Sequence, residues 1–96
     1  MIYESDPEKA KRNLREHGVS FEEAATVFLD PLAMTYPDPD HSDAEDREIT
    51  IGYCTKQRLL FVSHVPRRNR TRIISAREAT RREREQHEEG SSEKNK

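Results

Sequence analysis

Basic side chains that can bind phosphate are concentrated in one stretch of this sequence, residues 49–77. The stretch holds seven Lys or Arg residues and no Asp or Glu, so it carries a field of one sign that attracts polyanions. Arg67, Arg72 and Arg77 are spaced by five residues. Because a guanidinium group stays charged and its N–H fork matches phosphate oxygens, these three are candidates for holding one phosphate. The alternative is a solvated basic face, neutralised by the acidic first half of the chain.

Groups that can transfer protons precede the first of these arginines in the chain. His64 ends the most apolar run of the chain, beside the basic residues, and imidazole serves as acid or base near neutral pH. The alternative for His64 is a half-buried position in a sheet. His17 falls at a predicted helix end, where the helix dipole favours its protonated form, or where it simply caps the helix. Glu45 is a candidate base, or else forms an ion pair with Arg47.

An acidic loop is the only segment whose spacing suggests metal ligands. It resembles a calcium-binding loop superficially, but it lacks the glycine at the sharp turn and the distal bidentate Glu. The single Cys54 excludes an internal disulfide and a zinc site made of several cysteines. We therefore expect no metal and no cofactor. The loop residues are Asp38, Asp40, His41, Asp43 and Asp46.

Two helices are predicted in the first third of the chain. Asp6-Pro7 provides an N-cap followed by proline at the first helical position, and Gly18 is a left-handed C-cap. The segment SFEE at residues 20–23 is a capping box that opens the second helix. Asp30-Pro31 ends it.

Strand patterns follow these helices. Alternation of apolar and polar residues predicts strands over residues 32–36 and 47–53, a continuous apolar run predicts a central strand over 59–65, and a last strand covers 71–75. Residues 2–4 fit a short edge strand. The segment SARE at 75–78 is a capping box that places Arg77 at the start of a polar last helix ending near residue 88. The fold class is therefore α+β: two amino-terminal helices, an antiparallel sheet of about four strands and a carboxyl-terminal helix.

Length and composition limit the class of protein. The chain has 96 residues, of which 31% are hydrophobic and 38% are charged. We predict one domain over residues 1–89 and a flexible tail over 90–96. No apolar run approaches the length of a membrane span, and Glu4 and Asp6 interrupt any secretory signal, so we expect a cytoplasmic protein with no membrane contact.

Several short segments occur in a fixed order along almost the whole chain. They are DPEKA (6–10), HGVSFEEA (17–24), VFLDP (27–31), RLLFV (58–62) and RIISAREA (72–79). In this order they resemble the BrnT family of bacterial type II toxins. Gln57 stands where the family commonly has a turn glycine.

The resemblance implies a RelE-like fold and a ribonuclease that arrests translation. It also implies neutralisation by a BrnA antitoxin, whose ribbon-helix-helix part binds operator DNA so that DNA is contacted only through the antitoxin. A metal-independent ribonuclease takes a proton from the 2′-OH, stabilises charge on the phosphorus and protonates the leaving oxygen. We assign these catalytic roles to six residues and general RNA attraction to five others. The catalytic set is His17, Glu45, His64, Arg67, Arg72 and Arg77, and the RNA-binding set is Lys9, Arg47, Arg58, Arg68 and Arg70.

A second hypothesis of a different class stays open. The chain is then a catalytically inactive protein-binding module that acts as co-repressor with a DNA-binding partner. Both hypotheses predict a second protein, because the polar last helix has few apolar residues with which to dock.

Overall fold

The computed structural model describes the backbone of residues 3–40 and 46–94 and the side chains of residues 3–40 and 46–90. Within these residues the chain forms three helices and five strands, in the predicted α+β class. The strands are β1 (Tyr3–Glu4), β2 (Met34–Pro37), β3 (Glu48–Tyr53), β4 (Leu59–Arg67) and β5 (Arg70–Glu78); the helices are α1 (Pro7–His17), α2 (Phe21–Ala25) and α3 (Arg81–Lys94), and a 3-10 turn (Thr26–Leu29) follows α2.

Helix α1 begins and ends where the sequence predicts, but it buries a different face. The Asp6 carboxylate accepts the Glu8 N–H at 2.9 Å, and Gly18 ends the helix at φ 68°. In the sequence, Ala10, Leu14 and His17 fall at i, i+4 and i+7 on one face of this helix, which is the spacing of a core-facing side. In the structure Leu14 is 52% exposed and the neighbouring Asn13 is buried. Asn13 is buried because its amide makes hydrogen bonds to the backbone, and a pattern of apolar residues cannot predict such bonds.

Helix α2 also begins at its predicted cap and is shorter than expected. The Ser20 hydroxyl accepts the Glu23 N–H at 3.0 Å, which is half of a capping box. Regular helix ends at Ala25, and the 3-10 turn carries the chain to Asp30.

The sheet has five strands in the order β1-β5-β4-β3-β2 and is mixed. Three of its pairs are antiparallel, whereas β1 runs parallel to β5. The prediction of about four antiparallel strands is therefore wrong in strand number and in one direction. The direction of a two-residue strand is set by the strand that it meets, and the local sequence does not reveal that neighbour.

The two faces of the sheet have different covers. One face packs against α1, α2 and the 3-10 turn, around a buried cluster that includes Val19, Val27, Leu60, Val62 and Ile73. The other face carries a smaller cluster of Ile49, Ile51 and Leu59, with Tyr53, Phe61 and Ala79 against it. Helix α3 lies on this second face, since Tyr53 contacts His87 in α3. We name the first face the helix-packed face and the second the α3 face.

The end of the chain corrects two predictions. Strand β5 continues to Glu78, so the SARE segment at 75–78 caps no helix and Arg77 belongs to a strand. Helix α3 starts at Arg81, after a capping box in which Thr80 and Glu83 exchange hydrogen bonds of 2.8 and 3.2 Å. The helix runs to Lys94, past its predicted end near residue 88. The division into a domain of 1–89 and a tail of 90–96 stays a prediction.

The outer edge of β5 is blocked by a side chain. Asn13 Nδ2 donates to the Ala76 carbonyl at 2.8 Å and to the Val19 carbonyl at 2.9 Å, while the Ala76 N–H donates to Asn13 Oδ1 at 3.0 Å. The Asn13 amide thus occupies the place of a peptide group in the next strand. This replacement explains why an amide is the buried residue of α1.

Among residues 3–40 and 46–94, no helix is long and apolar enough to cross a membrane.

Candidate functional site

Strand register places several arginines on the α3 face. Phe61 packs in the α3-face cluster, and alternation along β4 brings Val65 and Arg67 to the same side. Val65 is opposite Arg72, and Arg67 is opposite Arg70. Because directly opposed residues of neighbouring strands share a face, Arg67, Arg70 and Arg72 lie together near one end of this face.

A β-bulge in β5 determines which residues face this side. Ser63 is opposite Ser75, whereas His64 is opposite Ile73, so Ile74 has no partner in β4. In a regular strand, residues five apart point to opposite faces. The extra residue shifts the alternation, and Arg72 and Arg77 therefore share the α3 face.

Arg47 joins the same region from the neighbouring strand. Its carbonyl accepts the Asp38 N–H at 2.9 Å, so the β2–β3 ladder continues past Glu48 and Arg47 falls on the face of Ile49. Continuing the β3–β4 register by one residue places Arg47 opposite Val65, and Val65 is opposite Arg72 on its other side. Its Nε atom is buried and has no hydrogen-bond partner within the described residues. We call Arg47, Arg67, Arg70 and Arg72 the arginine row.

A carboxylate lies beside the row. Glu4 is opposite Arg72 in the β1–β5 pair, and the Arg72 Nη1 to Glu4 Oε1 distance is 3.7 Å. Both side chains are about one third exposed, so this pair is weakly held and open to solvent. A shallow groove of about 570 Å³ opens here and is lined by Glu4, Pro66, Arg67, Arg68, Asn69 and Arg70.

Arg77 shares the face but is fastened elsewhere. Its Nη1 and Nη2 atoms donate to the two oxygens of Glu83 in α3 at 2.8 and 2.9 Å, and its guanidinium carbon lies 4.2 Å from the Phe61 ring centre. The Glu83 hydrogen bonds raise the pKa of Arg77 and lower that of Glu83. Five residues of strand separate Arg77 from Arg72 by roughly 15 Å, so the structure does not bring all three predicted phosphate ligands together.

His64 lies on the opposite face from the arginine row. It is 4% exposed, its Nε2 atom is 2.7 Å from Thr50 Oγ1, and its ring packs edge-on against Phe28. Its Nδ1 atom is 3.9 Å from Glu48. Burial lowers the pKa of His64 to about 4, so the neutral imidazole is the stable form at neutral pH. This environment is the sheet position that was the alternative to catalysis.

His17 and Lys9 lie together on α1, away from the arginine row. They line a cavity of about 200 Å³ with Arg12, Glu16 and the bulge residue Ile74. Both are exposed.

Arg58 is committed to an internal ion pair. Its Nε and Nη2 atoms donate to the two Glu23 oxygens at 2.8 and 2.7 Å, and Nη2 also reaches the Gly18 carbonyl at 3.0 Å. Cys54 Sγ donates to Glu23 at 3.0 Å. The Arg58 hydrogen bonds lower the pKa of Glu23 to about 2 and raise that of Arg58. These contacts give Arg58 a structural task in place of an exposed position for RNA.

Three residues of the predicted sites, Glu45, His41 and Asp43, fall outside the described residues. Within residues 3–40 and 46–94, no group of three or more His, Cys, Asp or Glu side chains is arranged to hold a metal ion.

Sequence reasoning missed two residues of this face, Glu4 and Tyr36. Tyr36 is opposite Ile49, which belongs to the α3-face cluster, and is 39% exposed. Its position in a predicted strand was visible, but an aromatic residue in a strand usually indicates core. Glu4 was predicted to lie in a short edge strand, but its contact with Arg72 was not predicted, because the two residues are 68 positions apart in the sequence.

The described residues thus form an α+β domain with an arginine-rich, partly open sheet face. The family model described as "Ribonuclease toxin, BrnT, of type II toxin-antitoxin system" matches residues 6–83. The chain therefore belongs to the BrnT family of ribonuclease toxins.

A solved structure supports the fold. The 1.1 Å crystal structure of the ribonuclease toxin BrnT from Brucella abortus is similar to this chain with a TM-score of 0.67 and 24% sequence identity. The similarity covers 84% of this chain and 99% of that chain. No curated protein matches the sequence.

Proposed function

We propose that this chain is a metal-independent endoribonuclease whose arginine row holds the scissile phosphate. The observation that carries the proposal is the shared position of Arg47, Arg67 and Arg72 on one end of the α3 face, contributed by three adjacent strands. Neighbouring strands are about 4.8 Å apart, so long guanidinium side chains from three of them reach one phosphodiester. Membership of the ribonuclease toxin family supports RNA as the polyanion.

The reaction requires the ribose 2′-oxygen to attack the adjacent phosphorus. The bond from phosphorus to the 5′-oxygen breaks, leaving a 2′,3′-cyclic phosphate and a 5′-hydroxyl. The arginines stabilise the charge that accumulates on the phosphoryl oxygens. In this proposal Glu4, 3.7 Å from Arg72, accepts the 2′-OH proton, and a proton from solvent goes to the leaving 5′-oxygen.

The remaining parts of the proposal rest on family membership. They are a RelE-like fold, arrest of translation through RNA cleavage, a cytoplasmic location and neutralisation by a BrnA-type ribbon-helix-helix antitoxin. In that arrangement, operator DNA is bound by the antitoxin and the toxin adds to repression through the complex.

The test is cleavage of RNA by purified protein in the presence of EDTA. We expect cutting to persist and the products to carry 2′,3′-cyclic phosphate ends. Arg72→Ala should lower the cleavage rate by about 100-fold or more, the usual effect of removing one donor to a developing oxyanion. Arg81→Ala is the matched control, because that side chain is 92% exposed on α3, where it pairs with Glu85.

Three outcomes would contradict the proposal in different ways. A requirement for divalent cations would remove the metal-independent mechanism. Full activity of Arg72→Ala and Arg67→Ala would remove the arginine row as the phosphate site. Intact RNA at all protein concentrations, together with binding to a DNA-binding partner, would favour the inactive co-repressor.

A further inference from the structure

A cavity between α3 and the sheet has the lining of a small-molecule site. It has a volume of about 210 Å³, and its lining residues are Met34, Tyr36, Ile51, Glu83, Gln86 and His87. Apolar side chains from two strands form its floor, and polar side chains from α3 form one wall. A flat, partly apolar ring with hydrogen-bonding edges fits such a lining, because ligand sites combine apolar walls with a few oriented polar groups.

Tyr36 supplies an aromatic surface at this cavity. It lies in the terminal strand β2, and 39% of its surface is exposed. Its charged neighbours are Glu83, Arg77 and Asp38, and Glu83 in the first turn of α3 lines the same cavity. Exposed aromatic side chains next to cationic residues are the standard platform on which single-stranded nucleic acids stack their bases.

Gln86 supplies an uncommitted amide at the same cavity. It is exposed, and its side-chain amide makes no hydrogen bond with the described residues. An amide has both donors and acceptors and therefore matches the edge of an unpaired base. Glu83, in contrast, is occupied by Arg77 and Thr80.

The cavity and the arginine row are adjacent along the sheet. Tyr36 is opposite Ile49, and Arg47 lies two residues before Ile49 on the same face. Two residues of strand span about 7 Å. One nucleotide can therefore place its phosphate at Arg47 and its base at Tyr36.

We propose that this cavity is a base-specificity subsite, in which Tyr36 stacks on one RNA base and Gln86 reads its edge. The proposal rests on the proposed ribonuclease function, since the arginine row supplies the phosphate contact. It assigns selection of the base to residues that take no part in bond breaking.

The test measures binding separately from cleavage. Short 2′-O-methyl homopolymers of A, C and U lack the attacking hydroxyl, so they bind without being cut, and fluorescence anisotropy gives their Kd values. We expect the wild type to prefer one of the three. Tyr36→Ala should weaken binding of the preferred homopolymer by about 5- to 100-fold, and Tyr36→Phe should leave it within about twofold.

Gln86→Ala should reduce the difference between the homopolymers while retaining most of the affinity. Gln57→Gly is the matched control: it removes an exposed amide from a turn at φ 66°, a conformation that glycine adopts without strain. Thermal unfolding checks that every variant is folded.

Equal wild-type affinities for the three homopolymers, or unchanged affinities in Tyr36→Ala, would overturn the subsite. The outcomes separate this proposal from the ribonuclease proposal. Base preference without any RNA cleavage would leave the subsite and remove the nuclease, whereas cleavage without base preference would do the reverse.

Discussion

Arg58 on the helix-packed face and Arg72 on the α3 face are both paired with a carboxylate, and the two pairs differ in nearly every physical respect. Arg58 makes a bidentate pair with Glu23, whose side chain is 4% exposed. Arg72 stands 3.7 Å from Glu4, with both side chains about one third exposed. The first pair holds α2 against the turn before β4, while the second leaves its guanidinium accessible.

The difference shows that the charge of a segment does not reveal the task of each residue. In the sequence, the stretch 49–77, with seven basic residues and no acid, was interpreted as one polyanion-binding unit. In the fold, Arg58 and Arg77 are each bound bidentately by a glutamate. Three others of the seven, Arg67, Arg70 and Arg72, belong to the arginine row. Internal bidentate pairs with a carboxylate therefore identify Arg58 and Arg77 as arginines with a structural role.

The largest expected effect comes from breaking the buried pair. Arg58→Ala leaves the Glu23 carboxylate buried without its partner, which should lower the free energy of unfolding by about 3 kcal/mol. Arg72→Ala should change it by less than about 1 kcal/mol, because its pair is exposed. Urea unfolding monitored by circular dichroism measures both.

Arg58→Lys sharpens this comparison, since lysine keeps the charge but cannot bond both oxygens of Glu23. Its stability should fall between those of the wild type and Arg58→Ala. Equal destabilisation by Arg58→Ala and Arg72→Ala would contradict the distinction between the two pairs.

The next effect appears in the pH dependence of stability, where the helix-packed face should dominate. The folded pKa of His64 is about 4, below its ordinary 6.5, so the unfolded chain binds this proton first as the pH falls. Stability should therefore decline from about pH 6.5 to about pH 4. The folded pKa of Glu23 is about 2, against an ordinary 4.5, which adds a decline from about pH 4.5 to about pH 2.

Two variants separate these windows. His64→Gln should flatten the curve between about pH 6.5 and 4, and Glu23→Gln should flatten it between about pH 4.5 and 2, each against its own stability at neutral pH. His17→Gln is the matched control, because His17 is exposed. A curve unchanged by His64→Gln would show that the buried imidazole is not the group responsible.

The smallest expected effect concerns the contact between α3 and the sheet. Glu83→Gln removes the charge that pairs with Arg77 and weakens the capping box with Thr80. We expect a loss of about 1 kcal/mol, since both side chains of the pair are partly exposed. Hydrogen exchange should show faster opening of α3 with little change in β3 and β4. Equal acceleration throughout the sheet would mean that α3 unfolds only with the whole domain.

Local signals predicted the parts of the fold that local physics decides. The caps at Asp6, Ser20 and Gly18 each act within three or four residues, and all three occur as predicted. The last helix was misplaced because two capping-box patterns, SARE at 75–78 and TRRE at 80–83, follow one another. Residues 75–78 pair with β4 and belong to β5. The local sequence could not predict this, because the pairing joins residues that are distant in the chain.

The candidate site depended on features that sequence spacing misrepresents. The five-residue interval between Arg72 and Arg77 did not reveal that both lie in one strand and on one face of the sheet. They share a face only because the β-bulge at Ile74 shifts the alternation of β5. The ion pair that holds Arg58 joins it to Glu23, 35 positions away in the sequence. His64 was correctly placed on the central strand, but which face it occupies follows from register alone.

The Asn13 amide has a consequence for how copies of this chain associate. By satisfying both backbone groups of Ala76, it prevents an incoming chain from extending the sheet beyond that point of β5. In the part of the chain that the structure describes, the terminal strands of the sheet are β1 and β2. The two-residue β1 covers β5 only at Thr71 and Arg72, and Asn13 closes the same edge at Ala76, so β2 is the longer edge to which a strand of another copy can add.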